Sequence, residues 1–129
     1  DALQRWHPRI VMIALGANDG LRGKSLAQVE KNLEAMLRMV ASADASAVLV
    51  GMHIPPNFGP RYGQAFHAIY ARLAKRYSVQ LLPFLLDGVA TDSALMQDDG
   101  LHPTADAQPR IRDHVLQSLQ PLLKKIAAS

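Results

Sequence analysis

There is no cysteine in the 129 residues, which excludes disulfide bridges, thiolate metal sites and a cysteine nucleophile, and leaves the compartment open. Aromatic residues are also few, at 5%. No apolar run approaches the ~20 residues needed to span a bilayer, so stable membrane insertion is not expected, and the opening residues Asp1-Ala2-Leu3-Gln4-Arg5-Trp6 lack the pattern of a signal peptide. Charge is not strongly one-sided either: 14 Lys and Arg stand against 11 Asp and Glu. The net +3 is scattered, and only Lys75-Arg76 and Lys124-Lys125 are adjacent basic pairs. Without a basic stripe or recognition elements, a nucleic-acid partner is not expected.

What is present is a chain with 49% hydrophobic residues, enough for one core and one domain over residues 1–129. Arg9 to Leu15 is a short apolar, β-branched run stopped by Gly16, which reads as a buried strand feeding a loop at Gly16–Gly20. Ser25 followed by Gln28 is a capping-box signature, and Leu26, Val29, Leu33, Met36, Leu37 and Val40 keep helical spacing behind it. Ala47 to Met52 reads as a second strand, ended by the turn-rich His53–Pro60. A helix is predicted from Gly63 to Tyr77, with Phe66, Ile69, Tyr70 and Leu73 on one face. Gln80–Phe84 is a third strand, and Leu85–Pro103 a long functional loop. A last helix, Asp106 to Ile126, places Ile111, Val115, Leu119, Leu122 and Ile126 inward.

Alternating strands and helices predict an α/β fold, a parallel sheet covered by helices on both faces in three α/β/α layers. In such sheets the ligand crevice lies beyond the carboxyl ends of the strands. The loops at Asn18, His53 and Asp99–His102 all follow strand ends and are expected to converge there. Three parallel strands alone make a poor sheet. A further strand and crossover of at least ~30 residues is therefore expected before Asp1.

The most informative stretch is Asp98-Asp99-Gly100-Leu101-His102-Pro103. Asp99 precedes His102 by three residues, and Gly100 permits a tight turn, so the carboxylate can fold back onto the imidazole and orient it as a general base. The alternative is a plain turn in which Asp99 caps backbone groups and His102 packs. Asn18, a neutral amide at a strand end, is suited to donate to a developing oxyanion, although Asn-Asp also forms ordinary turns. Met52, His53, Ile54 and Pro55 are expected to wall one side of the crevice. The remaining histidines, His7, His67 and His114, stand in no catalytic or metal-binding pattern and read as packing or surface residues. Serine chemistry accounts for the polar loops without a metal or other cofactor, so none is expected.

Taken together, the chain resembles the SGNH (GDSL) hydrolases, and within them the bacterial thioesterase, lysophospholipase and arylesterase branch. The resemblance runs through GANDGLRG at Gly16–Gly23, PPNFGPRY at Pro55–Tyr62, AFHAIYARLAK at Ala65–Lys75, LLPF at Leu81–Phe84 and MQDDGLHPTADAQP at Met96–Pro109. It implies a flavodoxin-like sheet, a Ser-His-Asp triad with Asp99 and His102 as its C-terminal pair, and Asn18 in the oxyanion hole. Ala17 stands where glycine is usual. Gly20, Leu21, Arg22 and Gly23 resemble the family's mobile loop beside the acyl pocket. The implied substrate is an acyl ester or thioester, and the implied location periplasmic or secreted.

The family's Gly-Asp-Ser block and its second oxyanion glycine are not in these residues. None of Ser25, Ser42, Ser46, Ser78, Ser93, Ser118 and Ser129 has that context, so the nucleophile is expected upstream and these residues alone are expected to be inactive. Two other readings remain at this point: a catalytically silent lipid- or carbohydrate-binding member of the same fold, and a flavodoxin-like binding domain, for which no phosphate-binding loop is found.

Overall fold

Three strands form where β-branched and apolar residues cluster: β1 at Ile10–Ile13, β2 at Ser46–Val50 and β3 at Gln80–Leu82. In the computed structural model, which describes residues 2–128, they make one parallel sheet in the order β1-β2-β3. Ile10 pairs with Ser46, Ile13 with Leu49, and Val50 with Leu82. β2 is central, and Ala47 through Val50 are all buried, on both faces of the sheet. β1 is an edge strand among the described residues, and its Met12 stays 37% exposed. A five-residue helix, α1 (Ala2–Trp6), precedes it and buries no residue.

The chain divides into two compact units, Asp1–Pro83 and Phe84–Ser129. The first contains the sheet and three further helices: α2 (Ala17–Leu21), α3 (Leu26–Ser42) and α4 (Pro60–Tyr77). The predicted loop at Gly16–Gly20 is thus a short helical turn, because Gly20 N–H reaches the Gly16 carbonyl and Arg22 N–H the Asn18 carbonyl. α3 begins where the capping residue predicts, with the Ser25 hydroxyl accepting from Gln28 N–H at 3.2 Å. Only that half of the box forms, since the Gln28 side chain donates instead to Asn32. α4 starts three residues before the predicted Gly63. Pro60 occupies its first turn, where the missing N–H costs nothing.

α3 contributes Val29, Leu33, Leu37 and Val40 to the core, and α4 contributes Phe66, Ile69, Tyr70 and Leu73. Burial of such side chains is worth about 1.5–3 kcal/mol each, so this cluster dominates the first unit's stability. Polar ties cross the same helix pair outside the core: Arg72 to Glu30 at 2.9 Å, and Tyr77 hydroxyl to Glu34. That hydroxyl, with Arg38, holds the Glu34 carboxyl below its ordinary range.

The second unit is built differently. Turns from Phe84 lead to a 3-10 turn at Ser93–Leu95, an antiparallel bridge between Met96 and Pro103, another 3-10 turn at Ala105–Ala107, and α5 (Gln108–Ala127). The predicted last helix therefore opens as a 3-10 turn. Its expected inner face is only half-buried: no residue of α5 is fully buried, while Leu116 and Leu123 are 47% and 41% exposed. The second unit has little beside α5 except these short turns to cover it. His114 Nε2 donates to the Phe84 carbonyl at 2.9 Å, a packing role as expected.

Candidate active site

In the second unit the Asp99-Gly100 turn closes on itself. Gly100 takes a positive φ of 64° and its N–H reaches the Gln97 carbonyl, while Gln97 N–H reaches the His102 carbonyl at 2.8 Å. Gln97 Nε2 adds a bond to the Pro103 carbonyl. Within this frame Asp99 Oδ1 accepts the Leu101 and His102 backbone N–H groups at 2.9 and 3.0 Å, and Oδ2 lies 2.7 Å from His102 Nδ1. One Asp99 oxygen thus caps the turn and the other lies against the ring, while His102 does not pack, its side chain staying exposed.

The His102 ring, and then the two backbone donors, pull the Asp99 carboxyl down to about 2, so it is ionised at neutral pH. An ionised partner on Nδ1 fixes the proton there and leaves Nε2 with its lone pair outward, as a general base requires. The side chain of His102 is 69% exposed, so Nε2 is open to a reacting group.

In the first unit Asn18 lies one residue into α2, beyond the carboxyl end of β1. Its side chain is exposed and has no hydrogen-bond partner among the described residues. It lines a groove of about 270 Å³ between the end of β1 and α3, together with Leu15, Gly16, Asn32, Leu33 and Met36. The neighbouring Asp19 is bound to Lys24 at 2.9 Å, which lowers its carboxyl below the ordinary range.

The other sequence candidates separate by burial. Gly20 and Ile54 are inside the packing, where a Cβ on Gly20 would meet Ile54 Cγ2 and the Phe66 ring at 2.8 Å. Leu21 and Met52 are half-buried against the core. Pro55 is half-buried, whereas Arg22 and His53 are exposed. The Gly20–Gly23 segment is hydrogen-bonded throughout, with Gly23 N–H on the Gly20 carbonyl and Lys24 N–H on the Asp19 carbonyl. His53 and the loop after β2 thus lie beyond the strand neighbouring the one that carries Asn18.

One arrangement has no sequence signal. His53 stacks on His67 of α4 with ring centroids 3.7 Å apart and planes 19° from parallel, and His67 Nδ1 lies 3.1 Å from the Met52 carbonyl. Burial, and then the charge of His67, lower the pKa of His53. Parallel rings point their lone pairs past one another, so the pair does not chelate an ion. His, Asp and Glu do not gather in threes as metal ligands among the described residues.

Residues 1–109 match the model of the GDSL-like lipase/acylhydrolase family. The chain belongs to that family. It is 46% identical over 121 residues to a protein of Escherichia coli K12 named thioesterase 1/protease 1/lysophospholipase L1, covering 94% of this chain and 58% of that one. Esterase TesA of Pseudomonas aeruginosa is 44% identical over 116 residues, covering 90% and 58%. Among solved structures, the psychrotrophic esterase EstA from Pseudoalteromonas sp., inhibited by monoethylphosphonate, superposes with a TM-score of 0.90 at 38% identity, covering 95% of this chain and 67% of that one. The chain thus spans 58% of the length of these curated relatives. The α/β fold with a parallel sheet, expected from the order of elements, agrees with this membership.

Proposed function

We propose that these residues supply the acid-base pair and one oxyanion donor of a serine ester or thioester hydrolase. The observation that carries this reading is the 2.7 Å contact between Asp99 Oδ2 and His102 Nδ1 with Nε2 left outward and exposed. In the reaction His102 Nε2 takes the proton of a serine hydroxyl as that oxygen attacks the acyl carbonyl. The Asn18 carboxamide, with backbone N–H groups, holds the negative charge that develops on the carbonyl oxygen. His102 returns the proton to the leaving alcohol or thiol, then activates water to release the acid.

The serine itself comes from a segment outside these residues. What supports this is the placement of the serines present. Ser25 caps α3, Ser42 ends it, Ser46 and Ser78 lie at the amino ends of β2 and β3, and Ser93 and Ser118 sit in a 3-10 turn and in α5. Ser25 and Ser93 follow the carboxyl ends of β1 and β3, but the Ser25 hydroxyl is used to cap α3, and none of the six stands in a Gly-Asp-Ser context. Ser129 lies outside the described residues. The greater length of the relatives supports the same reading.

The substrate class is an acyl ester or thioester, in keeping with the thioesterase, lysophospholipase and esterase names of the relatives. On this reading the exposed Arg22 and His53 meet a polar part of it, and the half-buried Leu21, Met52 and Pro55 its apolar part. A periplasmic or secreted location follows from the family alone. No helix among the described residues is long and apolar enough to cross a membrane.

The test is hydrolysis of p-nitrophenyl butyrate and of a medium-chain acyl-CoA by the protein as its gene encodes it, with His102→Ala and Asn18→Ala beside it. Turnover that disappears with His102→Ala and drops steeply with Asn18→Ala is expected. A wild-type protein that binds acyl chains without turning them over would instead identify a silent member of the family.

A further inference from the structure

The turn that carries Asn18 is contacted along its length by one row of aromatic side chains. Tyr62, Phe66 and Tyr70 follow one another at four-residue intervals on α4, which puts them on one helix face. Tyr62 hydroxyl donates to the Lys24 carbonyl at 2.9 Å, at the end of the turn. Phe66, fully buried, lies against the bare Cα of Gly20 in its middle. Tyr70 hydroxyl donates at 2.9 Å to the carbonyl of Leu15, the residue that enters it. The rings also brace one another, Phe66 meeting Tyr70 edge-on with centroids 5.6 Å apart and Tyr62 at 6.5 Å.

The Tyr70 hydroxyl is the informative atom. Tyr70 is 1% exposed, and a phenylalanine would fill the same core volume without a polar group to desolvate. Burial, and then the nearby Asp19, push its ionisation well above the ordinary tyrosine range, so it is a donor at any working pH. Its bond fixes the plane of the Leu15–Gly16 peptide, directly before a residue held at φ 106°. A Cβ on Gly16 would lie 2.4 Å from that hydroxyl, so glycine is required there by conformation and by contact. Asn18 is the second residue after it.

We infer that Tyr70 is a positioning residue, whose hydroxyl, at the buried end of the Tyr62-Phe66-Tyr70 row, sets the Asn18 carboxamide for catalysis. The inference rests on Asn18 acting as the oxyanion donor. Donors of this kind must sit within about 2.7–3.1 Å of where the oxyanion forms, and a lapse of ~1 Å can cost on the order of a hundredfold.

The test is a double-mutant cycle on the protein as its gene encodes it, with p-nitrophenyl butyrate as substrate. Tyr70→Phe is expected to lower kcat about tenfold with KM nearly unchanged, since ground-state binding does not use the oxyanion donor. Asn18→Ala alone is expected to lower kcat by roughly 10²–10³. Adding Tyr70→Phe to Asn18→Ala should cost nothing more, because the positioned group is already gone. Tyr62→Phe, at the outer end of the row and harmless to the core, should cost about two- to threefold through the same coupling, and keeps the test open should Tyr70→Phe fold poorly. Equal loss of kcat from Tyr70→Phe in both backgrounds, or a change confined to melting temperature, would overturn the positioning role while leaving Asn18 as the donor. An Asn18→Ala protein with full kcat would overturn the oxyanion reading itself, and the positioning role with it.

Discussion

The Asn18 turn and the Asp99–His102 turn both present an exposed polar side chain from a short, tight segment, yet they are held in opposite ways. The Asp99 turn is built from within. Its bonds join residues between Leu95 and Thr104, and each polar group it organises is close by in sequence. The Asn18 turn closes local backbone bonds too, but both its ends are also anchored from outside, by side chains 38 to 55 residues away on α4. The first arrangement survives changes in the core around it and fails with its own residues. The second is only as well placed as the core that supports it.

The largest effect that sharpens this contrast is loss of the base. His102→Ala should reduce kcat on p-nitrophenyl butyrate by about 10⁴- to 10⁶-fold. Because the side chain is 69% exposed and contributes to no core, the melting temperature should stay within a few degrees. Calorimetry beside kinetics checks both halves.

The next is Phe66→Ala, which should destabilise the protein by about 3–5 kcal/mol, the range for emptying a buried aromatic site. It should also disturb the amide resonances of Ala17–Leu21 while leaving those of Asp98–His102 in place. Shifts of equal size in both turns would break the comparison.

Gly20→Ala is smaller and more local. The added methyl meets Ile54 and Phe66 at 2.8 Å, and overpacking of this kind costs about 1–3 kcal/mol. It should lower urea-unfolding stability and kcat together, whereas Leu101→Ala, at a residue 40% exposed beside the dyad, should leave stability within ~0.5 kcal/mol.

The smallest effect is a pH dependence. The folded-state pKa of Asp99 is depressed from an ordinary 3.8 to about 2. Its ionised form therefore contributes stability that is present above about pH 4 and is lost as pH falls through about 2. Because the group is solvent-exposed, the loss should appear as local loosening, seen as chemical-shift changes of the Leu101 and His102 amides between pH 4.5 and 2. The Tyr70 hydroxyl and Phe66 ring that anchor the Asn18 turn do not titrate there, so changes in that turn should be confined to the surroundings of Asp19, whose carboxyl is held below its ordinary range by Lys24.

This contrast also explains what could be read from residues alone. The dyad was legible because its geometry is nearly all local: an aspartate, a glycine free to take positive φ and a histidine three positions on carry the information themselves. The strands and the two long helices of the first unit were legible because apolar periodicity reports burial directly. The short α2 was not, since it runs for only five residues and Asn18, Asp19 and Gly20 are weak helix formers. The supports of Asn18 were hidden for another reason. Phe66 and Tyr70 read as one face of a core helix, and nothing in their spacing says that a hydroxyl would be used on a distant carbonyl. The His53–His67 stack likewise joins two elements whose approach only the fold decides. The inner face of α5 misled in the other direction: regular apolar spacing predicts burial, and that face is only half-covered.

The most direct test of the functional account is the intact mass of the protein, as its gene encodes it, after reaction with a fluorophosphonate, with the His102→Ala variant alongside. The account predicts a single adduct on wild-type protein, mapped by peptide sequencing to a serine outside the 129 residues, and no adduct on the variant. An adduct on Ser25, Ser42, Ser46, Ser78, Ser93 or Ser118, or labelling that persists without His102, would contradict it.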